Sequence, residues 1–292
     1  MKPETGVKAA ASATRDFPTW HFAMLNDHDR NTALEQAIKQ LDVDGKTIFE
    51  IGTGCGLIAL LFAKHGARVF TCEMNHKMAA IARSVIAPSG LADRITLIAA
   101  NSSEVVKAGL LPGTPDIIFT ETLDCGVVGE GFFAIARDIR QVAGPETRVI
   151  PERIRQFGQL VDAPALTRLN RVGEAAGFDL SALNIYSTPT YFPVREKLYD
   201  YTPLSEPFLL REYIYTQDMP HRRVNIEPYR SGKADGILSW FEAEFVHETV
   251  TNSPGTHGHW HQAFHPFEIA ADVTAKRPLV VRIADDGRIS VL

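Results

Sequence analysis

One segment constrains the fold of this chain more than any other: a short strand that runs into a glycine-rich turn and then into a helix. Residues 46–52 (KTIFEIG) are β-branched and aromatic and end at a glycine, which is typical of a buried strand. Residues 56–66 (GLIALLFAKHG) have a helical pattern that a second glycine ends. The alternation continues with predicted strands at 67–73, 94–100 and 115–121, predicted helices at 76–90 and 131–143, and one or two helices within 17–41. Strands that alternate with helices predict an α/β fold with a doubly wound parallel sheet.

The pattern changes near Pro151, where we place a domain boundary. Before it, residues 17–150 form the predicted α/β domain, and residues 1–16 are small and polar, as expected of a disordered tail. After it, short apolar runs separated by Pro, Gly, Asn and Asp predict a mostly antiparallel β domain over 151–292. Residues 166–186 have a helical pattern, which predicts a helical arm inserted over about 166–210.

The composition narrows the classes of partner. Lys and Arg number 30 against 35 Asp and Glu, which gives a net charge of −5. A mildly acidic protein binds nucleic acid poorly and suits a cationic partner better. The three cysteines form neither a disulfide framework nor a metal knuckle, and no apolar run reaches the ~20 residues of a membrane span. We therefore expect a cytoplasmic protein with no nucleic-acid or membrane partner.

The glycine-rich turn predicts a binding site for a nucleotide-like cofactor. Gly52, Gly54 and Gly56 follow the first strand, where an open α/β sheet binds such ligands. The spacing is GxGxG, which disfavours a nicotinamide dehydrogenase. The turn contains no Lys or Arg, so it has no cationic side chain to bind a pyrophosphate. Glu73 ends the second strand, where its carboxylate can accept hydrogen bonds from two ribose hydroxyls. Together these features resemble the S-adenosylmethionine (SAM) methyltransferase fold, although a tight turn beside a solvated Glu73 is the simpler alternative.

The end of the third strand adds two candidate residues. The segment NSSEV (101–105) lies where a SAM-type site meets the adenine. Ser103 and Glu104 are therefore predicted to contact the exocyclic amine. The alternative is structural, with Ser102 as the N-cap of a following helical turn.

Two carboxylates on one loop carry the predicted chemistry. Glu121 follows the fourth strand, and Glu130 comes nine residues later in ETLDCGVVGEG, with Gly126 and Gly129 allowing a hairpin. Two neighbouring carboxylates repel each other unless a cation lies between them. A guanidinium is the natural cation, because it is planar, always charged and able to pair bidentately with each carboxylate.

This pair of glutamates and the loop between them resemble those of the protein arginine methyltransferases. Glu121 and Glu130 match the pair of glutamates on that family's acceptor loop, and the loop sequence is most similar to the type III, monomethylating branch. MLNDHDRN (24–31) resembles the family's N-terminal helix. By that resemblance Arg30 pairs with the carboxylate of SAM, Asp27 enters the site, and Met24 lies beside the acceptor.

The resemblance extends to the C-terminal half. ILSWFEAEF (237–245) is similar to the family's barrel strands, and GHWHQAFHPF (258–267) to its Thr-His-Trp loop, with His259 and Trp260 in place but Gly258 at the threonine position. GFDLS (177–181) resembles the start of a dimerisation arm. The resemblance implies a SAM-dependent, monomethylating arginine methyltransferase with a β-barrel-like second domain, a homodimer and an acceptor-contacting Trp260. Because the methylated nitrogen must lose a proton, we also predict that Asp27, hydrogen-bonded to His259, acts as a relay.

Simpler alternatives remain for several residues. Asp27 and Arg30 are three residues apart, so they can be only a helix-surface ion pair. His259 and Trp260 can belong to the core. His257, His259 and His261 alternate as metal ligands can, but no carboxylate is spaced to complete a site, and we expect no metal.

The function itself also keeps alternatives. The acceptor is arginine in a peptide or protein, or free L-arginine. Other functions are methyl transfer to another small amine or acid, or a non-catalytic module that binds SAM or a peptide.

Overall fold

A computed structural model describes residues 18–292 of the chain. The predicted disordered tail, residues 1–16, lies outside the described residues. The chain divides into two compact units. The first unit comprises the described part of Met1–Glu121 together with Arg137–Pro151 and Phe245–Glu248. The second unit comprises Thr122–Ala136, Glu152–Glu244 and Thr249–Leu292.

The first unit is the predicted α/β fold. Its elements in chain order are α1 Trp20–Leu25, α2 His28–Lys39, β1 Thr47–Ile51, α3 Leu57–Lys64, β2 Arg68–Cys72, α4 His76–Ile86, β3 Ile95–Ile98, α5 Ser102–Lys107, β4 Ile117–Thr120, the part of α6 (Phe132–Val142) from Arg137 onwards, and β5 Arg148–Ile150. The five strands are parallel and lie in the order β3-β2-β1-β4-β5. The doubly wound parallel sheet predicted from the alternation is therefore confirmed.

Apolar burial explains why these segments become strands and helices. Strand β4 is buried at all four positions and β1 at four of five, as expected for a parallel sheet covered on both faces. Phe62 of α3 packs edge-on against Phe119 of β4, with ring centroids 5.4 Å apart. The sheet is thus fixed by its apolar sequence, which leaves the polar residues at the carboxyl ends of the strands.

The second unit is mostly antiparallel. Its elements are β6 Arg153–Asp162, α7 Pro164–Thr167, β7 Glu174–Ala175, β8 Phe178–Asp179, β9 Phe192–Val194, β10 Thr202–Pro203, β11 Phe208–Tyr213, β12 Arg222–Ile226, β13 Gly232–Phe245, β14 Glu248–Thr251, β15 Gln262–Val273, β16 Leu279–Ile283 and β17 Ile289–Val291. Seven strands form one sheet along the path β10-β6-β13-β15-β9, with β11 on β6 and β14 on β13. A second sheet has the order β12-β16-β17. Among the described residues these pairings trace an open path, so a closed barrel is not observed.

The helical prediction for residues 166–186 is wrong. Helix α7 ends at Thr167, and β7 and β8 then form a small hairpin, followed by a 3₁₀ helix over Ser181–Tyr186. The hairpin turn places Ala176 at φ 53° and Gly177 at φ 84°. Two successive residues with positive φ match the twist of a tight hairpin and cannot continue a right-handed helix. The turn therefore overrides the helical apolar pattern of this segment.

A buried histidine lies in the core of the second unit. His265 is 1% exposed, its Nε2 lies 2.9 Å from Ser239 Oγ, and its Nδ1 lies 2.8 Å from the Gly287 carbonyl oxygen. A carbonyl only accepts, so Nδ1 carries the proton and Nε2 accepts from the serine hydroxyl. Burial lowers the pKa of His265 to about 4. The imidazole is therefore neutral in the folded protein.

Across residues 18–292, no helix combines the length and apolarity needed to cross a bilayer.

His265 predicts a fall in stability on mild acidification. Its folded pKa is below the unfolded value of about 6.5, so protonation favours unfolding. The stabilisation is complete above pH 6.5 and is lost as the pH falls towards 4. From pH 7 to pH 5 we expect the free energy of unfolding to drop by about 2 kcal/mol through this group. Urea denaturation at both pH values measures it. His265→Gln should flatten the difference by that amount, whereas the exposed His247→Gln should not; equal slopes in all three proteins would contradict this assignment.

Candidate active site

The glycine turn and Glu73 meet at the carboxyl ends of β1 and β2. The Gly54 N–H donates to Glu73 Oε2 at 3.0 Å, and the Asn75 N–H donates to Oε1 at 2.8 Å. Gly52, Gly54 and Gly56 have φ values of 84°, 55° and 89°, which residues with side chains rarely adopt. The sequence-predicted cofactor loop and its carboxylate are thus neighbours. Their contact with a ribose stays a prediction.

A second carboxylate lies beneath this turn. Glu50 on β1 is 2% exposed and accepts a hydrogen bond from the Thr53 hydroxyl at 2.8 Å. Burial raises the pKa of Glu50 to about 7, although the hydroxyls of Thr71 and Thr53 oppose the shift. The sequence analysis did not select Glu50, but its signal was present: a charged residue inside the otherwise apolar strand IFEI. It links the strand to the turn that follows.

The helix that follows β3 has a different N-cap residue from the predicted one. Asn101, rather than Ser102, is the N-cap of α5: its side-chain oxygen accepts from the Glu104 N–H at 2.9 Å. Glu104 in turn accepts from the Asn101 N–H at 3.0 Å, which completes a capping box. The Ser102 and Ser103 hydroxyls both donate to Asp138 Oδ2, at 2.6 and 2.7 Å. The adenine contacts of Ser103 and Glu104 stay predictions.

The main electrostatic feature of the first unit is a buried ion pair between Arg30 and Glu121. The Arg30 Nε donates to Glu121 Oε1 at 2.7 Å, and its Nη2 donates to Oε2. The two side chains are 4% and 8% exposed. Burial alone would lower the pKa of Arg30, but the charge of Glu121 and its hydrogen bonds raise it overall. Glu121 therefore holds a guanidinium bidentately, but this guanidinium is that of Arg30. The predicted contacts of Glu121 with an acceptor and of Arg30 with a cofactor carboxylate stay predictions.

Asp27 caps a helix and is not a surface partner of the Arg30 side chain. It is the N-cap of α2, and its Oδ1 accepts from the Arg30 backbone N–H at 3.1 Å. The cap begins the helix that directs the Arg30 side chain towards Glu121. The alternative of a helix-surface ion pair is wrong, because the Arg30 side chain is buried. Met24 lies half-buried on α1.

Glu130, His259 and Trp260 belong to the second unit. Glu130 is exposed. The Trp260 indole N–H donates to the Leu123 carbonyl at 2.7 Å, and its ring meets Phe241 edge-on at 5.3 Å. The His259 ring lies 3.8 Å from that of Trp260. Trp260 thus anchors the start of the loop that carries Glu130, while its contact with an acceptor and the Asp27–His259 relay stay predictions.

Among residues 18–292, no three or more His, Cys, Asp or Glu side chains are grouped to hold a metal ion.

The residues at these strand ends fit SAM chemically. The turn has backbone N–H groups and no cationic side chain, as suits a ligand without a pyrophosphate. Glu73 offers two acceptor oxygens for ribose hydroxyls, and Arg30 offers a guanidinium for a carboxylate. Glu121 then provides a negative charge that matches a cationic acceptor.

Comparison with known proteins identifies the family. No family model matches the chain. It is 36% identical over 281 residues to an arginine N(omega)-methyltransferase of Streptomyces achromogenes subsp. streptozoticus, which covers 94% of this chain and 78% of that protein. It is 28% identical over 294 residues to protein arginine N-methyltransferase 9 of Mus musculus, covering 87% of this chain but only 35% of the length of that relative.

Solved structures share the fold. The Trypanosoma brucei PRMT1 enzyme–prozyme heterotetrameric complex with AdoHcy matches with a TM-score of 0.74 and 19% identity, over 90% of this chain and 86% of that one. Protein arginine methyltransferase 10 of Arabidopsis thaliana matches with a TM-score of 0.70 and 18% identity, over 93% and 88%. With the glycine turn, Glu73 and the guanidinium-binding Glu121 in place, the chain belongs to the arginine N-methyltransferases, a family of SAM-dependent enzymes.

Proposed function

We propose that this enzyme transfers one methyl group from SAM to a guanidino nitrogen of arginine, with free L-arginine as the favoured acceptor. The observation that carries the proposal is the bidentate pairing of Glu121 with the Arg30 guanidinium. An arginine acceptor presents the same planar cation. A carboxylate oriented for two parallel hydrogen bonds fixes the plane of that group.

The charges explain why the site needs acidic residues. SAM supplies a methyl group on a positively charged sulfonium, and the acceptor is also a cation. Two like charges about 4 Å apart repel by about 4 kcal/mol at an effective dielectric constant near 20. Glu121 and Glu130 offset this repulsion and orient one guanidino nitrogen for reaction. The methylated nitrogen then loses a proton, for which Asp27 and His259 are the proposed relay.

Two observations support the choice of acceptor and product. The Streptomyces relative, which this chain matches over 78% of its length, is named for arginine rather than for protein arginine. This name favours free L-arginine as the acceptor. The mouse and human relatives named for protein arginine are matched over 35% of their length, so a peptide acceptor is the second candidate. The loop ETLDCGVVGEG, which resembles the monomethylating branch, supports transfer of a single methyl group.

The arm supports a homodimer. Apolar side chains between residues 178 and 186 are exposed, among them Phe178 at 70% and Ile185 at 79%. An exposed apolar cluster of this kind marks an interaction surface. Three free cysteines support the proposal that the enzyme works in the reducing cytoplasm.

Mass spectrometry tests the function directly. After incubation with SAM, we expect free L-arginine to gain one methyl group, and an arginine-containing peptide to gain it more slowly. Glu130→Gln removes a charge while keeping the shape, so turnover should fall by roughly 10²–10³-fold with SAM affinity little changed. The exposed Glu227→Gln serves as the control. A gain of methyl on an amine or acid other than arginine would overturn the proposal, and SAM binding without any turnover would indicate a non-catalytic module.

The Arg30–Glu121 pair predicts coupling between cofactor and acceptor. Arg30 can pair with Glu121 or with a cofactor carboxylate, so engagement of Arg30 by a cofactor should free Glu121. We expect arginine to bind at least ~5-fold more tightly with S-adenosylhomocysteine than without it in calorimetry. Arg30→Lys keeps the positive charge but loses the planar guanidinium that pairs bidentately with a carboxylate, so it should reduce this coupling. The exposed Arg83→Lys should retain it; identical coupling in both variants would refute the role of Arg30.

The dimer proposal is tested by sedimentation. We expect the wild-type protein to sediment as a dimer at micromolar concentration. Ile185→Glu places a charge in the exposed arm and should give a monomer. Ile269→Glu changes an isoleucine that is 82% exposed outside the arm and should stay dimeric. A wild-type monomer would contradict the proposal.

A further inference from the structure

The loop between the two glutamates contains a strained residue. Val127 has φ 76°, a left-handed conformation that a β-branched side chain rarely adopts, and its side chain is fully buried. Such strain persists only where neighbouring groups over-determine the backbone. Gly131, directly after Glu130, also has a positive φ of 88°. The backbone that presents Glu130 is therefore fixed by contacts rather than by its own preference.

Asp124 supplies the contacts on one side. Its Oδ1 accepts from the backbone N–H groups of Gly126 at 3.2 Å and Gly129 at 3.1 Å, and its backbone carbonyl accepts from the Val127 N–H at 3.1 Å. One carboxylate thus bonds on both sides of the strained residue. The Gly129 N–H belongs to the residue that immediately precedes Glu130. The orientation of the Asp124 carboxylate therefore sets the position from which Glu130 extends.

Tyr191 orients that carboxylate. Its hydroxyl donates to Asp124 Oδ2 at 2.8 Å, on the oxygen that the backbone leaves available. A side chain at Gly126, Gly129 or Gly287 would overlap Tyr191, so the ring fits against the backbone of the loop. The Tyr191 ring also lies 5.2 Å from the buried His265. The hydroxyl has little freedom to move.

The charge state of Asp124 is consistent with this arrangement. Burial raises the pKa of Asp124, and the Tyr191 hydroxyl and the two glycine N–H groups oppose that rise. Burial, followed by the charge of Asp124, raises the pKa of Tyr191, so the phenol stays protonated and able to donate. Removal of the hydroxyl would raise the pKa of Asp124 further and weaken its ionised state at mildly acidic pH.

We infer that Asp124 and Tyr191 form a positioning pair that holds Glu130 in place for the arginine acceptor. The inference rests on the proposed function for the role of Glu130, but the contacts themselves do not depend on it. Neither residue touches the reacting atoms in this assignment. Their effect passes through the backbone of residues 124–129.

The Tyr191→Phe variant isolates the hydroxyl, because the ring that fills the space against the glycines is kept. We expect kcat/KM for arginine to fall roughly tenfold or more, as for loss of a hydrogen bond to a charged group, while SAM affinity is unchanged. The acid limb of the pH profile should move to higher pH. Asp124→Asn keeps an acceptor for the glycine N–H groups and should retain more activity than Asp124→Ala. Tyr229→Phe removes an exposed hydroxyl that donates to the Pro203 carbonyl and is the matched control.

Hydrogen exchange separates failure of this inference from failure of the proposed function. In Tyr191→Phe the amides of Gly126 and Gly129 should exchange at least about tenfold faster than in the wild type and in Tyr229→Phe. This readout needs no turnover. Unchanged exchange, or an unchanged acceptor KM, kcat and pH profile in Tyr191→Phe, would overturn the positioning role. If Tyr191→Phe exchanges faster but the wild-type protein does not methylate arginine, the proposed function is rejected and the Asp124–Tyr191 contact is retained.

Discussion

A buried carboxylate must have a partner, and this constraint organises the first unit. An ionised side chain removed from water costs several kcal/mol unless it is paired and hydrogen-bonded. Glu121 meets that requirement with the two parallel hydrogen bonds of the Arg30 guanidinium. The partner it has within the chain is the same chemical group that an arginine acceptor brings. The Glu121 carboxylate that pairs with the Arg30 guanidinium therefore already has the orientation needed to pair with the guanidinium of an acceptor.

The parallel sheet explains how distant residues reach one edge. The carboxyl ends of parallel strands lie on the same side of the sheet, so the glycine turn after β1 and Glu73 after β2 become neighbours. These placements could be predicted from the sequence, because each depends on where an apolar strand ends. Periodicity locates such ends well. For the same reason the helices and strands of the first unit followed the apolar pattern closely.

Other features could not be predicted because they depend on which residues meet after folding. Arg30 and Glu121 are 91 residues apart, and each had a separate expected ligand. Asn101 and Ser102 are both good caps, and only the backbone geometry selects Asn101. In the arm, a helical spacing of apolar residues over 166–186 gave way to a hairpin turn at Ala176 and Gly177. Local patterns define elements, whereas pairing partners and turn conformations are decided by tertiary contacts.

Polar groups in the core of the second unit have a common explanation. A half-buried aspartate, Asp124, and a left-handed valine, Val127, both raise the energy of the acceptor loop. Tyr191, Trp260 and the backbone N–H groups of the glycines satisfy the polar atoms and restrain the turn. His265, neutral and bonded on both ring nitrogens, supports the Tyr191 ring without adding a charge beside Asp124. These contacts stabilise an otherwise unfavourable backbone that carries Glu130, so Asp124, Tyr191 and His265 together support the position of one exposed carboxylate.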